Sequence, residues 1–340
     1  MRFCVHEWLK IRALRGRRWL SASRGAVIIA TAASPLTAAA SDAYPSRPMR
    51  MIVAFSAGGS LDLTARVIAQ KFSESSGQPM VVDNRVGAGG ITGTDIVAKA
   101  NPDGYTLLMA SASNAVHPAL FPNGPHNFGR DFAPVSVVSS NAYAVAVHPG
   151  LPVTSVKELI QAAKSRPKPL SFGSSGNGGL PHLAAELLKS LSGIDLIHIP
   201  YKGGAQALID LMGGRIDIMV NSIPLLLPQA KTGKIKMIAV TTLKRADAAP
   251  DVPTIAESGV PGYDVNGWYG VVVPAKTPPA VIAKLHRDIV GFIGLQDVRD
   301  RIRNDGGDVV GSTPHEYAAL IRADIAKWKA LVAKTGIRAE

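Results

Sequence analysis

The sequence is almost free of cysteine: the one cysteine among 340 residues is Cys4, at the N-terminus. Once an N-terminal segment holding Cys4 is removed, the chain has no disulfide, no thiol nucleophile and no cysteine-ligated metal site. A lipoprotein needs a cysteine at its cleavage point, and none stands near the small residues that end this segment. We therefore expect a protein that is not a lipoprotein.

Aromatic and charged residues are also scarce, at 6% and 18% of the chain. Beyond the N-terminal segment the lysines and arginines form no dense run and do not alternate with aromatic residues, which argues against nucleic-acid binding. Apolar residues make up 46%, and glycine and proline are frequent. This composition is typical of an α/β protein with many tight turns.

The motifs of several catalytic and cofactor sites are missing. The chain has no G-x-x-x-x-G-K-[ST] loop for nucleotides, no H-E-x-x-H metal motif and no G-x-S-x-G nucleophile turn. The dinucleotide pattern G-x-G-x-x-G begins at Gly87 and Gly89 but fails at Thr92, because Gly93 is one position late. We expect no catalytic residues, no metal and no cofactor. An NAD(P)-dependent oxidoreductase of the Rossmann type remains the less favoured alternative.

The first 40 residues have the three parts of a secretory signal peptide. A basic region precedes an apolar stretch at residues 25–33 and small residues that end at Ala40. We predict cleavage after Ala40, with Ala43 as the alternative, and export to the periplasm. An arginine pair in the basic region leaves the choice between the Sec and twin-arginine routes open. The unusual length of this region also leaves the true start codon open.

Removal of this segment changes the charge of the protein. The segment carries seven basic side chains and one acidic side chain, so the formal net charge falls from +12 to about +6. A mild positive field of this size helps to gather small anions.

Strand-like and helix-like segments alternate along the rest of the chain. Residues 49–55, 80–83 and 105–110 have the pattern of strands, and residues 61–72 and 90–100 have that of helices. This βαβαβ order predicts an α/β fold with a doubly wound, mainly parallel sheet flanked by helices.

A second α/β set begins near residue 145. It contains a helix whose leucines, up to Leu191, are predicted to lie on the buried side, and two more helices follow after residue 278. Two such sets predict two lobes joined by two crossings, at residues 143–148 and 266–274. We assign residues 44–145 and 267–340 to the first lobe and residues 146–266 to the second.

Glycine-rich loops follow three of the predicted strands, at residues 57–59, 87–90 and 173–179. In an open α/β sheet, ligands bind beyond the carboxyl ends of the strands, and glycine lets the backbone come close to them. The free N–H groups at the start of the next helix attract anions without any arginine. The loops therefore predict capture of a small anion.

Each polar residue near these loops is open to two interpretations, one functional and one structural. Asp62 is either a contact for ligand or water, or an acid that favours the helix start. His182 is either a ligand contact or a partner in a local hydrogen bond. Tyr201 either lines a cleft or packs against the following helix, and Asn221 and Ser222 end a strand that either faces the site or does not.

Six motifs resemble, in sequence order, those of the Bug-type solute-binding proteins. These are the extracytoplasmic receptors of tripartite tricarboxylate transporters, also called the TctC family. The motifs are residues 52–66 (IVAFSAGGSLDLTAR), 84–93 (NRVGAGGITG), 101–107 (NPDGYTL), 174–183 (SSGNGGLPHL), 198–203 (HIPYKG) and 251–257 (DVPTIAE). Together they cover roughly residues 44–336. Residues 55–57 depart from Pro-Phe-Pro-Ala, the sequence commoner in this family at that place, so loop shape and ligand choice can differ here.

The resemblance implies a type II-like periplasmic binding protein whose two lobes close like a hinge on a small carboxylate. One carboxylate is held by a cradle formed by the first two glycine loops, through backbone N–H groups and water. In this sequence the cradle maps onto Ser56, Gly58, Gly59, Ala88, Gly89 and Gly90, with Asp62 beside it. The second lobe offers Ser174, Ser175, His182, Tyr201, Asn221 and Ser222.

The resemblance also implies partners. These are a small carboxylate ligand and the membrane permease subunits of a tripartite transporter, with the receptor itself expected to be a monomer. An alternative is a receptor that presents its closed, liganded form to a sensor protein. Both readings share the same cleft.

Overall fold

The computed structural model describes residues 44–337, which form ten strands and ten α-helices. The strands are β1 (Met49–Val53), β2 (Met80–Asn84), β3 (Thr106–Ser111), β4 (Phe132–Val147), β5 (Leu170–Ser174), β6 (Leu196–Pro200), β7 (Ile218–Ser222), β8 (Lys236–Val240), β9 (Asn266–Pro274) and β10 (Asp308–Val309). The helices are α1 (Ser60–Ser76), α2 (Ile91–Ala98), α3 (Ala112–Leu120), α4 (Val156–Ser165), α5 (Leu180–Ser192), α6 (Gly204–Met212), α7 (Ile223–Lys231), α8 (Pro279–Gly294), α9 (Gln296–Asn304) and α10 (Pro314–Thr335). The predicted signal peptide lies outside the described residues.

The strands form one mixed sheet in the order β2-β1-β3-β9-β4-β7-β5-β6, with β8 and β10 paired to β4. The three strands at each end of the sheet are parallel. Strand β1 pairs in parallel with β2 and β3, and β5 pairs in parallel with β6 and β7. Strands β4 and β9 are antiparallel to each other and to their neighbours. The predicted parallel character thus holds for the two outer groups of strands.

Strand β4 links these two groups. Residues 132–142 pair with β9, and residues 143–147 pair with β7 and β8. The strand therefore leaves one parallel group and enters the other, which gives a two-lobed α/β fold. We call the part built on β1–β3 the first lobe and the part built on β5–β7 the second lobe. Both predicted crossings fall on β4 and β9.

Helices cover both faces of the sheet, which is why its strands read as continuous apolar runs. In β1, Met51 and Val53 belong to the same core cluster as Ile68 and Phe72 of α1, whereas Ile52 belongs to the opposite cluster. All five side chains are at most 1% exposed. Burial of one such side chain stabilises the fold by about 1.5–3 kcal/mol.

The sequence pattern does not predict α3, α7, α9, β10 or the first half of β4. Helix α3 contains Pro118 and α7 contains Pro228, and an internal proline interrupts the helical pattern. The prediction for α5 was wrong at one position, since Leu191 is 40% exposed in the last turn of the helix. Among the described residues, no helix combines the length and apolar character needed to cross a membrane.

Candidate functional site

The first two glycine loops lie side by side at the carboxyl ends of β1 and β2. The two strands are parallel and in register, with Val53 opposite Asn84, so their loops leave the sheet together. A β-carbon added at Gly90 would lie 3.2 Å from the Phe55 ring. Of the residues predicted to form the cradle, Gly90 is buried, whereas Ser56, Gly58, Gly59, Ala88 and Gly89 are exposed.

The loop after β2 has an unusual backbone. Ala88, Gly89 and Gly90 follow one another with φ values of 46°, 65° and 101°. Ala88 is the one non-glycine residue between positions 44 and 337 with a positive φ. Successive left-handed residues turn their N–H groups to a common side and form an anion-binding concavity. The loop therefore has the backbone geometry of such a concavity.

Not every N–H group of this loop is free. The Gly90 N–H donates to the Gly87 carbonyl oxygen at 2.9 Å and closes the turn. The N–H groups of Ala88 and Gly89 have no acceptor within residues 44–337. Two donors of this loop thus lack an acceptor in the described part of the protein, and the third holds the loop.

The loop after β1 is held by Asp62. Its Oδ2 atom accepts hydrogen bonds from the Gly58 N–H and from Arg66 Nε, each at 2.9 Å, and its Oδ1 atom accepts one from Asn84 Nδ2 at 2.9 Å. Burial by itself would raise the pKa of Asp62, but these hydrogen bonds outweigh it and lower the pKa. Asp62 is 1% exposed, and its hydrogen bonds connect the loop after β1 to the end of β2.

The start of α1 supplies the other donors. Gly59 is the N-cap and offers no side chain to the first turn of this 17-residue helix. The first N–H groups of a helix have no partner within the helix, and they carry the positive end of its dipole. Together with the free groups of Ala88 and Gly89 they form a candidate site for an anion, one that needs no cationic side chain.

A buried network that sequence reasoning missed supports Gly90. The Thr94 hydroxyl donates to the Gly90 carbonyl oxygen, the Asn114 amide donates to Thr94 Oγ1, and the Ser111 N–H donates to Asn114 Oδ1, each at 2.8 Å. This chain of bonds ties the loop to the end of β3 and the start of α3. Residues 114–117 (NAVH) match no motif that would have predicted this network.

Close packing beneath the loop explains another glycine. A β-carbon at Gly93 would lie 2.8 Å from the Arg85 carbonyl oxygen and 2.9 Å from Ala54 Cα. Helix α2 can approach the end of β1 only without a side chain at this position. The glycine that comes one place late for the dinucleotide pattern therefore serves helix packing.

In the second lobe, the loop between β5 and α5 is held by two histidines. The Ser174 hydroxyl lies 2.6 Å from His198 Nε2, and the Gly178 N–H donates to His182 Nδ1 at 3.1 Å. The two imidazole rings stack with their centroids 3.9 Å apart. Burial lowers the pKa of His182 to about 3 and that of His198 to about 4, so both rings are neutral at neutral pH.

These contacts separate the candidates of the second lobe. Ser174 and His182 are buried and engaged within the lobe, whereas Ser175 is partly exposed. The Tyr201 hydroxyl donates to Asp210 Oδ2 at 2.8 Å, which matches the reading in which Tyr201 packs against the following helix, α6.

Asn221 and Ser222 stand at the end of β7. Asn221 Oδ1 accepts the Ser222 N–H at 2.8 Å, and the Asn221 side chain is 7% exposed. Its Nδ2 atom is buried and has no hydrogen-bond partner within the described part of the chain. A β-carbon at Gly204, the first residue of α6, would lie 2.5 Å from this atom. An unused amide donor therefore sits beside a second helix N-terminus.

The glycine loops of the two lobes meet. A β-carbon at Gly89 would lie 3.8 Å from the Asn177 carbonyl oxygen, and one at Gly178 would lie 2.7 Å from Leu120 Cδ1. The Leu180 N–H donates to Ser113 Oγ at 3.4 Å. The candidate site therefore lies between the lobes.

Two tyrosines lie on the long strands that link the lobes. Tyr269 of β9 pairs with Ser111 of β3 and with Ser139 of β4, at the carboxyl edge of the first lobe. Tyr143 lies on β4, opposite Ser222. Burial raises the pKa of Tyr143 to about 12 and that of Tyr269 further, so both phenols are protonated.

A two-lobed α/β fold with an anion cradle between its lobes defines the class of periplasmic solute-binding proteins. The sequence profile described as tripartite tricarboxylate transporter family receptor matches residues 64–337. The protein belongs to this family.

Relatives and solved structures agree with this assignment. Protein BugT of Bordetella pertussis (strain Tohama I) is 37% identical over 316 residues, which cover 92% of this chain and 96% of BugT. The structure of an R. palustris protein with adipate has a TM-score of 0.79 and 35% identity, covering 87% of this chain and 99% of that one. MatC from Rhodopseudomonas palustris with bound malate has a TM-score of 0.77 and 30% identity, covering 85% of this chain and 100% of that one.

Proposed function

We propose that this protein is a non-catalytic periplasmic receptor that captures a small carboxylate between its lobes and delivers it to the permease subunits of a tripartite transporter. The observation that carries the proposal is the pair of free N–H groups at Ala88 and Gly89, placed beside the uncapped start of α1. These donors suit a carboxylate, which accepts several hydrogen bonds at once.

The ligand class we propose is a linear dicarboxylate. The first carboxylate would lie in the cradle of the first lobe. The second would accept a hydrogen bond from Asn221 Nδ2, the buried donor beside the start of α6. The adipate and malate named for the two R. palustris structures are both dicarboxylates, which supports this class.

The polar groups of the cleft favour binding over catalysis. Ser174 and His198 are spaced like a nucleophile and its base, at 2.6 Å. However, Ser174 is fully buried, and its Oγ atom also accepts the Gly176 N–H at 3.2 Å. A nucleophile must reach its substrate, so we assign this pair to loop support.

We also propose the organisation of the chain. The first lobe takes residues 44–145 and 267–340, and the second takes residues 146–266, with β4 and β9 as the hinge. The N-terminal segment is a signal peptide cleaved after Ala40, and the exported receptor is a monomer without a lipid anchor. N-terminal sequencing and light scattering of the protein recovered from the periplasm would test these points.

The function is tested by a thermal-shift screen of the protein purified from the periplasmic fraction, after unfolding and refolding to remove any bound ligand. The compounds are adipate, malate, citrate, glutamate and benzoate, with NADH as the control. A ligand at a hundredfold excess over its Kd stabilises the folded state by about 2.7 kcal/mol, enough to raise Tm by several degrees.

We expect a shift with at least one dicarboxylate, and calorimetry would then give its Kd. A shift with benzoate alone would keep the receptor and reject the dicarboxylate class. A shift with NADH and with no carboxylate would overturn the proposal. Growth on the identified ligand, compared between strains lacking the receptor and strains lacking the permease, separates transport from sensing.

A further inference from the structure

One buried side chain contacts the backbone of the proposed cradle. His117 lies on α3, is 4% exposed, and has its Nε2 atom 3.1 Å from the carbonyl oxygen of Gly89. The two residues are 28 positions apart in the sequence. His117 therefore contacts the loop that carries the free N–H groups, at the peptide that joins Gly89 to Gly90.

The contact defines the form of the imidazole. A carbonyl oxygen only accepts hydrogen bonds, so Nε2 carries the proton and donates it. The Nδ1 atom is buried and has no hydrogen-bond partner within residues 44–337. Burial also lowers the pKa of His117 to about 4, which keeps the ring neutral and in a single tautomer at neutral pH.

The bond matters because peptides between glycines rotate easily. If the Gly89–Gly90 peptide rotated, the Gly90 N–H would leave the Gly87 carbonyl oxygen and the Gly89 carbonyl oxygen would turn toward it, which would open the turn that orients the N–H groups of Ala88 and Gly89. His117 holds the Gly89 oxygen, and Thr94 holds the next one, at Gly90. Both carbonyl groups are thus engaged by side chains of the first lobe rather than left to face the ligand.

We propose that His117 is a positioning residue for the cradle, which acts on ligand affinity through the Gly89 carbonyl without touching the ligand. This inference rests on the proposed carboxylate site. His117 works through one N–H donor, so another side chain with a donor at the same place should replace it. An apolar side chain of similar volume should not.

The test compares His117→Gln and His117→Leu with a matched control, His126→Leu. His126 is a buried histidine of the same lobe with its ring 6.1 Å from that of His117. Neither of its ring nitrogens has a hydrogen-bond partner among the described residues, and the nearest acid, Asp95, has its Oδ1 atom 3.8 Å from Nδ1. The probe ligands are adipate and malate, measured by calorimetry, and each variant's Tm is measured without ligand.

We expect His117→Leu to raise the Kd about tenfold, the equivalent of one lost hydrogen bond, while its Tm falls no further than that of His126→Leu. His117→Gln should keep the Kd within about threefold of wild type. Equal Kd values for His117→Leu, His126→Leu and wild type would overturn the inference. Equal losses of affinity in the glutamine and leucine variants would do so as well.

A ligand-free measurement separates this inference from the proposed function. Heteronuclear NMR of the unliganded protein reports which imidazole nitrogen of His117 is protonated, and also the amide signals of Gly89 and Gly90. Protonation at Nε2, with both amide signals shifted in His117→Leu but not in His126→Leu, supports positioning even if no carboxylate binds. Protonation at Nδ1, or unshifted glycine signals, would reject it.

Discussion

The Gly58 N–H donates to the Asp62 carboxylate at 2.9 Å, and the same carboxylate accepts from Asn84 and Arg66. One buried acid therefore joins the loop after β1, the first turn of α1 and the end of β2. Asp62, which lies beside the predicted ligand donors, therefore fixes the position of the loop that carries them.

Replacing Asp62 should lower both the stability of the fold and the affinity for the ligand. In Asp62→Ala, the Gly58 N–H and the Asn84 amide lose their acceptor, and we expect a loss of about 2–4 kcal/mol in the free energy of unfolding. Carboxylate affinity should fall by about tenfold or more, because the loop is no longer fixed. Urea denaturation and calorimetry measure the two effects.

The matched control for this prediction is Asp297→Ala. Asp297 is exposed and pairs with Lys71 at the surface, so its removal should leave Tm and affinity nearly unchanged. Equal effects of the two substitutions would show that Asp62 has no special role in the loops.

The backbone of the cradle predicts a specific loss of binding in Gly89→Ala. Gly89 and Gly193 have the same φ, 65°, so an alanine at either position costs about 1–2 kcal/mol of stability. Only Gly89 belongs to the proposed cradle, and its added methyl group would lie between the lobes, 3.8 Å from the Asn177 carbonyl oxygen. We expect Gly89→Ala to weaken binding at least about tenfold and Gly193→Ala to leave it unchanged.

Calorimetry with the ligand found by the screen, with Tm values recorded for both variants, checks this prediction. Similar Tm values with different Kd values are the expected outcome. Unaltered affinity in a folded Gly89→Ala protein would remove Gly89 from the ligand site.

The approach of α2 to β1 predicts a stability defect in Gly93→Ala. The added carbon would lie within 3 Å of backbone atoms of Arg85 and Ala54, which cannot move away cheaply. We expect a loss of about 1–3 kcal/mol in the free energy of unfolding. In Gly291→Ala, an exposed position of α8 with nothing near the new carbon, we expect a gain of about 0.5–1 kcal/mol.

Denaturant unfolding of both variants against wild type gives the comparison. A Gly93→Ala protein as stable as Gly291→Ala would mean that α2 can shift outward at little cost. It would also remove the packing reason for a glycine at this position.

The buried histidines predict how stability depends on pH. Burial lowers the pKa of His117 and His198 to about 4 and that of His182 to about 3, from an ordinary value of 6.5. Between these values the unfolded chain binds more protons than the folded protein, so the free energy of unfolding rises with pH. The stabilisation is complete above about pH 6.5 and is lost progressively toward about pH 4.

Urea denaturation at several pH values across this range measures the slope. In His198→Phe, which keeps an aromatic ring in the stack but removes one titrating group, the slope should be smaller. The same midpoint at about pH 7 and about pH 4.5 would contradict neutral burial of these rings.

The local elements were largely predictable from the sequence. The alternation of apolar runs with glycine loops gave the βαβ order of both lobes, because strand and helix periodicity are properties of neighbouring residues. Helices α3 and α7 escaped prediction, since Pro118 and Pro228 interrupt their patterns while packing against the sheet still makes them helical. Six ordered motifs were enough to predict the family.

The amino-acid sequence alone determined the positions of the glycines that permit a left-handed backbone. It therefore determined where N–H groups can gather at the ends of β1 and β2. Packing decided which of those groups find an acceptor within the described part of the protein. Gly90 is closed by Gly87, Gly58 is taken by Asp62, and Ala88 and Gly89 remain open. Packing likewise brought His117 to Gly89 and His198 to Ser174 across 28 and 24 positions. Local pattern does not encode such partners, because a hydrogen bond between distant residues exists only once the elements that carry them have packed.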